Sequence, residues 1–152
     1  MSVDKSGKQS FKKLKLKPLS EQVIVITGAS SGIGLATARM AAEKGAKVAA
    51  AARNLEALEQ LVHELKEKGQ EAVAVQADVG KEEDVRHIAE KAIQTFGGFD
   101  TWVNNAGVTI YGQFMEISIE DMKRMFDTDY WVWCTAPGRR LRTSNKKKQP
   151  VF

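Results

Sequence analysis

The sequence predicts an α/β fold, a parallel sheet covered on both faces by helices, and three observations lead there. Strand-like and helix-like patterns alternate from Val23 to Asn104, the order that threads helices across the faces of a parallel sheet. The first apolar run, Val23-Ile24-Val25-Ile26, passes through a glycine-rich turn directly into an Ala-rich helical pattern. Gly45 and Gly69 fall just past two helical stretches, where a left-handed residue closes the last turn.

Residues 1–20 carry six lysines against one aspartate and read as a basic mobile arm ending near Pro18. The elements that follow are a strand over 23–27, a helix over 32–44, a strand over 47–52 and a helix over 54–68. A strand over 72–76, a helix over 81–96 and a strand over 100–104 complete the series. Helix 54–68 sets Leu55, Leu58, Leu61, Val62 and Leu65 at helical spacing, so it buries one stripe and turns Glu56, Glu59, Glu64, Lys66 and Glu67 to water. That stripe is core packing. His63 and His87 lie on helices among charged neighbours and read as surface residues.

The turn itself reads Thr27-Gly28-Ala29-Ser30-Ser31-Gly32-Ile33-Gly34. Gly28 allows a sharp turn, and Gly32 and Gly34 remove side chains where backbone must approach a pyrophosphate and where helix must pack on strand. The unpaired N–H groups and the positive dipole end of the helix then face the phosphates. The spacing is G-x-x-x-G-x-G, not the commoner G-x-G-x-x-G.

With its flanks, this turn resembles the short-chain dehydrogenase/reductase family, and two further motifs follow in that family's order. Asp78-Val79 stands where the family places an acid near the adenine, and Asn104-Asn105-Ala106-Gly107 follows Trp102-Val103 as the family's N-N-A-G motif does. The resemblance covers residues 20–131 and implies a Rossmann-like, doubly wound parallel sheet with strand order 3-2-1-4, incomplete because strands after the fourth are absent. It implies a dinucleotide held by Thr27, Gly28, Ser30, Ser31, Gly32, Ile33 and Gly34, by Asp78 and Val79, and by Asn105, Ala106 and Gly107. Thr27 is expected to tie the first and fourth strands together. At the end of the second strand, where an acid would bond the ribose 2′-OH of NAD, the sequence has Ala52-Arg53. Arg53 offers a planar fork of donors to a 2′-phosphate, so NADP is expected over NAD.

Family members complete their site with an Asn, a Ser and a Tyr-x-x-x-Lys pair, in which Tyr supplies the proton, Lys lowers its pKa and Ser orients the carbonyl. Tyr111 is followed at that spacing by Met115 and Tyr130 by Cys134, so neither has the lysine. Phe126-Asp127-Thr128-Asp129-Tyr130-Trp131 resembles the family's F-D-T-N-Y-W segment with Asp129 in place of Asn. An ionised carboxylate accepts hydrogen bonds but cannot donate as an amide does. No catalytic residue is therefore assigned, and hydride transfer is expected to be absent from the chain as it stands.

At 152 residues the chain is shorter than the roughly 250 of a complete member. From Val132 onward neither helical nor strand period continues, and residues 132–152 carry six bases and no acid. Freely chosen codons from Trp131 onward, with one G restored after the first, read W-G-V-V-H-G-S-R-A-A-A-P-H-L, close to the family's fifth helix. The expectation is an out-of-frame, unstructured tail produced by a one-base deletion in a G run, and a chain without the family's oligomer interfaces. The fourth strand, with Trp102 and Val103, is expected at an unpaired sheet edge.

The formal charge of +4 divides unevenly, because residues 21–131 hold 11 bases against 18 acids while both ends are basic. The basic total therefore belongs to solvated tails, and no nucleic-acid partner is expected. Cys134 stands alone, no paired Cys or His spacing offers a metal site, and no stretch has the length of a membrane span. A soluble protein of the cytoplasm is expected. Two functions remain open at this stage: an oxidoreductase lineage acting on a small alcohol or carbonyl, and a non-catalytic module that binds a dinucleotide or a partner.

Overall fold

The computed structural model describes residues 17–132. Four parallel strands, β1 (Val23–Thr27), β2 (Lys47–Ala52), β3 (Ala72–Gln76) and β4 (Thr101–Val103), form one sheet in the order β3-β2-β1-β4. Three helices connect them: α1 (Gly32–Glu43), α2 (Leu55–Glu67) and α3 (Glu82–Phe96). Beyond β4 come a short 3-10 turn (Phe114–Glu116), α4 (Ile119–Phe126) and a π-helical turn (Asp127–Trp131). The expected elements and strand order are all present, with helix ends, and both ends of β4, one residue shorter than read. Of the expected unstructured tail, residues 132–152, only Val132 is described, and it departs from the expectation: it continues the helical turn after Trp131 and is buried in the core. Residues 133–152 and most of the basic arm lie outside the described residues.

Alternate strand residues feed two cores. Ile24 and Ile26 of β1, with Val48 and Ala50 of β2, pack under Ala38, Ala41 and Ala42 of α1 and Leu58, Leu61, Val62 and Leu65 of α2. Val25, Ala49, Ala51 and Val75 face the other way onto Val85, Ile88 and Ala92 of α3, joined by Val132. The alanine run of β2 explains the close fit, since small side chains on both faces let helices approach the central strand from each side. Leu55 departs from the expected stripe: it is exposed at the first position of α2, above the turn where the helix leaves the sheet.

Local signals set the ends. Asn54 Oδ1 accepts the N–H of Ala57 at 3.1 Å and caps α2. Gly45 and Gly69 adopt positive φ (84° and 74°) just past α1 and α2, as their positions required. At the opposite end of the sheet Asp100 accepts the N–H of Val23 at 3.1 Å and pairs with Lys17, fixing the start of β1 against β4. The C-terminal strand ends converge above β1, where the strand order reverses between β2 and β4. An open α/β sheet holds its ligands at this position.

Candidate dinucleotide site

Thr27 is the last residue of β1 and is fully buried. Its hydroxyl donates to the Val103 carbonyl at 3.3 Å and accepts the N–H groups of Asn105 and Ala106, each at 3.1 Å. One donor and two lone pairs are thereby all used, which is what a buried hydroxyl requires. Asn105 answers from the β4 side, its Nδ2 donating to the carbonyls of Thr27 at 3.1 Å and Gly28 at 3.4 Å. The ends of β1 and β4 are thus laced together, as the sequence reading expected of Thr27.

The three glycines of the turn do different work. A Cβ on Gly34 would lie 2.2 Å from the Gly28 carbonyl oxygen and 2.5 Å from Asn105 Nδ2, so this position packs α1 on the strand end. Gly28, at φ 69°, would bring a Cβ to 2.9 Å from Ala106 Cα. Gly32, at φ 55°, has nothing within 4 Å of its Cβ position. Its side faces open space in front of the N-terminus of α1.

A cleft of about 440 Å³ opens beside the turn. Gly28, Ser30, Ser31 and Ile33 line it from the turn, and Ala52, Arg53 and Asn54 from the end of β2. Ala77, Asp78 and Val79 follow β3, Asn105, Ala106, Gly107 and Val108 follow β4, and Thr128 closes one side. Thr27, Gly32 and Gly34 do not line it; Thr27 and Gly34 shape it from behind. The sequence reading overlooked Asn54, Ala77, Val108 and Thr128. Asn54 carried a signal, being an N-cap type directly before a helical pattern.

Arg53 is exposed on the cleft wall, and among the described residues its guanidinium makes no hydrogen bond or ion pair. Its backbone is held, because the Arg53 carbonyl accepts Gln76 Nε2 at 3.1 Å. Asp129 sits in the π-helical turn and its Oδ1 accepts the N–H of Val108 at 2.9 Å. A carboxylate at this position therefore steadies the backbone that follows the Asn-Asn-Ala-Gly run, using only the accepting capacity it has.

Residues 22–135 match a sequence family described as short chain dehydrogenase. The chain belongs to that family. Over 119 residues it is 73% identical to the uncharacterized oxidoreductase YxnA of Bacillus subtilis (strain 168), an alignment covering 78% of this chain and 33% of the relative. Among solved structures, L-sorbose reductase from Gluconobacter frateurii, complexed with NADPH and L-sorbose, aligns with a TM-score of 0.73 at 36% identity. That alignment covers 76% of this chain and 44% of the reductase. A short chain dehydrogenase/reductase from Burkholderia phymatum, in complex with NAD, aligns with a TM-score of 0.77 at 32% identity, over 80% of this chain and 43% of that one. The chain spans between a third and a half of the length of these family members. No helix among the described residues is long and apolar enough to cross a membrane.

Proposed function

We propose that this chain is the dinucleotide-binding part of a short chain dehydrogenase and that it takes NADP in preference to NAD. The cleft supports the reading through one feature above all: Ser31 and Ile33 at the N-terminus of α1 line it together with Arg53, whose guanidinium has no protein partner among the described residues. Backbone N–H groups at a helix N-terminus suit a pyrophosphate, and a free guanidinium suits a further phosphate. Ala52 leaves no carboxylate at the end of β2 to bond a bare 2′-OH. Asp78 and Val79 wall the adenine end, and Asn105, Ala106 and Gly107 the floor.

When bound, the nicotinamide supplies or accepts hydride, and the lineage's reaction interconverts an alcohol and a carbonyl. This chain's own residues orient the dinucleotide: Thr27 and Asn105 hold the floor rigid, and Asp129 fixes the backbone at Val108 beside it. Neither Tyr111 nor Tyr130 has a lysine four residues on, so the 152-residue polypeptide alone is expected to bind without turning over.

Titration of the 152-residue protein with NADPH and NADH, read by cofactor fluorescence, tests the proposal. NADPH is expected to bind at least about tenfold more tightly, the scale of one charge-assisted contact, and Arg53→Ala to erase most of the difference. Equal curves for the two cofactors in the unmutated protein would overturn the preference. Binding of neither would overturn the function.

A further inference from the structure

Asp78 has four polar handles, and three are occupied, two within its own turn and one by a residue of α3. Its carbonyl accepts the N–H of Lys81 at 3.0 Å, and its Oδ1 accepts the N–H of Gly80 at 3.1 Å. Its own N–H donates to Oδ2 of Asp84 at 2.8 Å. One carboxylate oxygen, Oδ2, has no hydrogen-bond partner among the described residues, and Asp78 lies on the cleft wall. Asp84 does not line the cleft. It is the third residue of α3, where an acid commonly reaches back to the amide of the N-cap residue. Here the N-cap is Lys81, and Asp84 reaches past it to the amide of Asp78, six residues earlier.

Resting on the dinucleotide reading above, we infer that Asp84 is a positioning residue for adenine, holding Asp78 so that its one free oxygen accepts the exocyclic amino group. The chemistry follows from the inventory of bonds. Asp84 fixes the backbone that carries the Asp78 side chain, and Oδ1, committed to Gly80, keeps the carboxylate from turning on that backbone, so Oδ2 has one direction available. An ionised oxygen fixed in that direction accepts a donor and opposes another acceptor. Adenine presents an amino group there, whereas hypoxanthine presents a carbonyl. Asp84 thereby confers selectivity on a base it does not touch. Its action requires only an accepting oxygen, which an amide also has, so its charge is dispensable.

The test compares NADPH with its deaminated analogue, in which hypoxanthine replaces adenine, on the full chain by fluorescence titration. The unmutated protein is expected to favour NADPH by on the order of tenfold, one hydrogen bond to a charged acceptor. Asp84→Ala should bring the two dinucleotides within about twofold of one another, and Asp84→Asn should keep the original ratio, since its amide oxygen can still accept the Asp78 N–H. A merely structural role for Asp84 would weaken both dinucleotides together and leave their ratio unmoved. An unchanged ratio in Asp84→Ala, or a ratio lost equally in Asp84→Asn, overturns the inference while leaving dinucleotide binding intact. Should Asp84→Ala not fold, hydrogen exchange at the Asp78 amide carries the test together with Asp84→Asn. Protection at that amide with the ratio kept supports the role, and an unprotected amide overturns it. If the unmutated protein binds neither dinucleotide, both this inference and the proposed function fall.

Discussion

β1 is buried along its whole length and β2 at every residue after Lys47, whereas all three residues of β4 are only half-buried. The β1–β2 side has strands on both flanks and helices on both faces. β4 has a strand on one flank only among the described residues, and past it Tyr111, Met115, Ile119, Phe126 and Tyr130 are exposed. The two sides meet at the cleft, where Thr27 and Asn105 join them. The contrast teaches that the glycine turn is braced by a finished core, while the segment past β4 rests on far less burial.

The largest expected effect lies on the finished side. Gly34→Ala forces a Cβ to 2.2 Å from the Gly28 carbonyl oxygen, so stability should fall by on the order of 3 kcal/mol or more, read from urea unfolding. Gly32→Ala meets no neighbouring atom and should cost only about 1 kcal/mol, from its left-handed backbone. Equal losses of stability in the two variants would erase the distinction drawn between packing and open glycines.

Leucine and phenylalanine truncations compare the two sides directly. Leu58 in α2 is fully buried, and Leu58→Ala should destabilise by about 3 kcal/mol. Phe126 in α4 is 57% exposed and touches Tyr130 edge-on with ring centroids 6.4 Å apart. Phe126→Ala should cost less than about 1 kcal/mol, although phenylalanine is the larger residue. A greater loss at Phe126 than at Leu58 would mean that the β4 side is the better packed.

At the seam, Thr27→Val keeps the shape and removes the hydroxyl that serves Asn105 and Ala106. Two part-buried N–H groups lose their acceptor, for a cost of about 2 kcal/mol and faster amide exchange at both residues. Unchanged exchange there would show that β1 and β4 are held together by something other than Thr27.

The smallest effect is electrostatic and distant from the seam. Glu64 accepts from Lys68 at 2.8 Å and from Arg39 Nη2 at 2.7 Å, and these hydrogen bonds, Lys68 foremost, hold its carboxyl below the ordinary glutamate range. A depressed folded-state value means that the contribution is present above the unfolded value and is lost as pH falls through the folded one. Glu64→Gln should therefore lower the melting temperature slightly at neutral pH and leave it unchanged in strong acid. An equal shift at both pH values would rule out the ion pairs as its source.

Much of this architecture is local, and local features are legible in sequence. The alternation of strand and helix, the capping type at Asn54, and the glycines past α1 and α2 each follow from a short window of residues. Leu55 falls outside the buried stripe because helical spacing fixes which stripe a residue occupies but not how far along the sheet the helix begins to be covered. The bond from Asp84 to Asp78 is not legible because it follows no recurring spacing, and the Asp129 to Val108 bond because it spans 21 residues.

The order of elements, the parallel sheet and the glycine turn were readable along the chain, because periodicity and backbone freedom act over a few residues, and the family was readable from three motifs in their order. Which of those residues share the cleft, that Arg53 is left without a protein partner among the described residues, and that Asp84 and Asp129 accept backbone amides came only from the folded arrangement. A hydrogen bond depends on where two groups arrive in space. For Thr27 and Asn105 that arrival is set by the pairing of β1 with β4, across a sequence separation of 78.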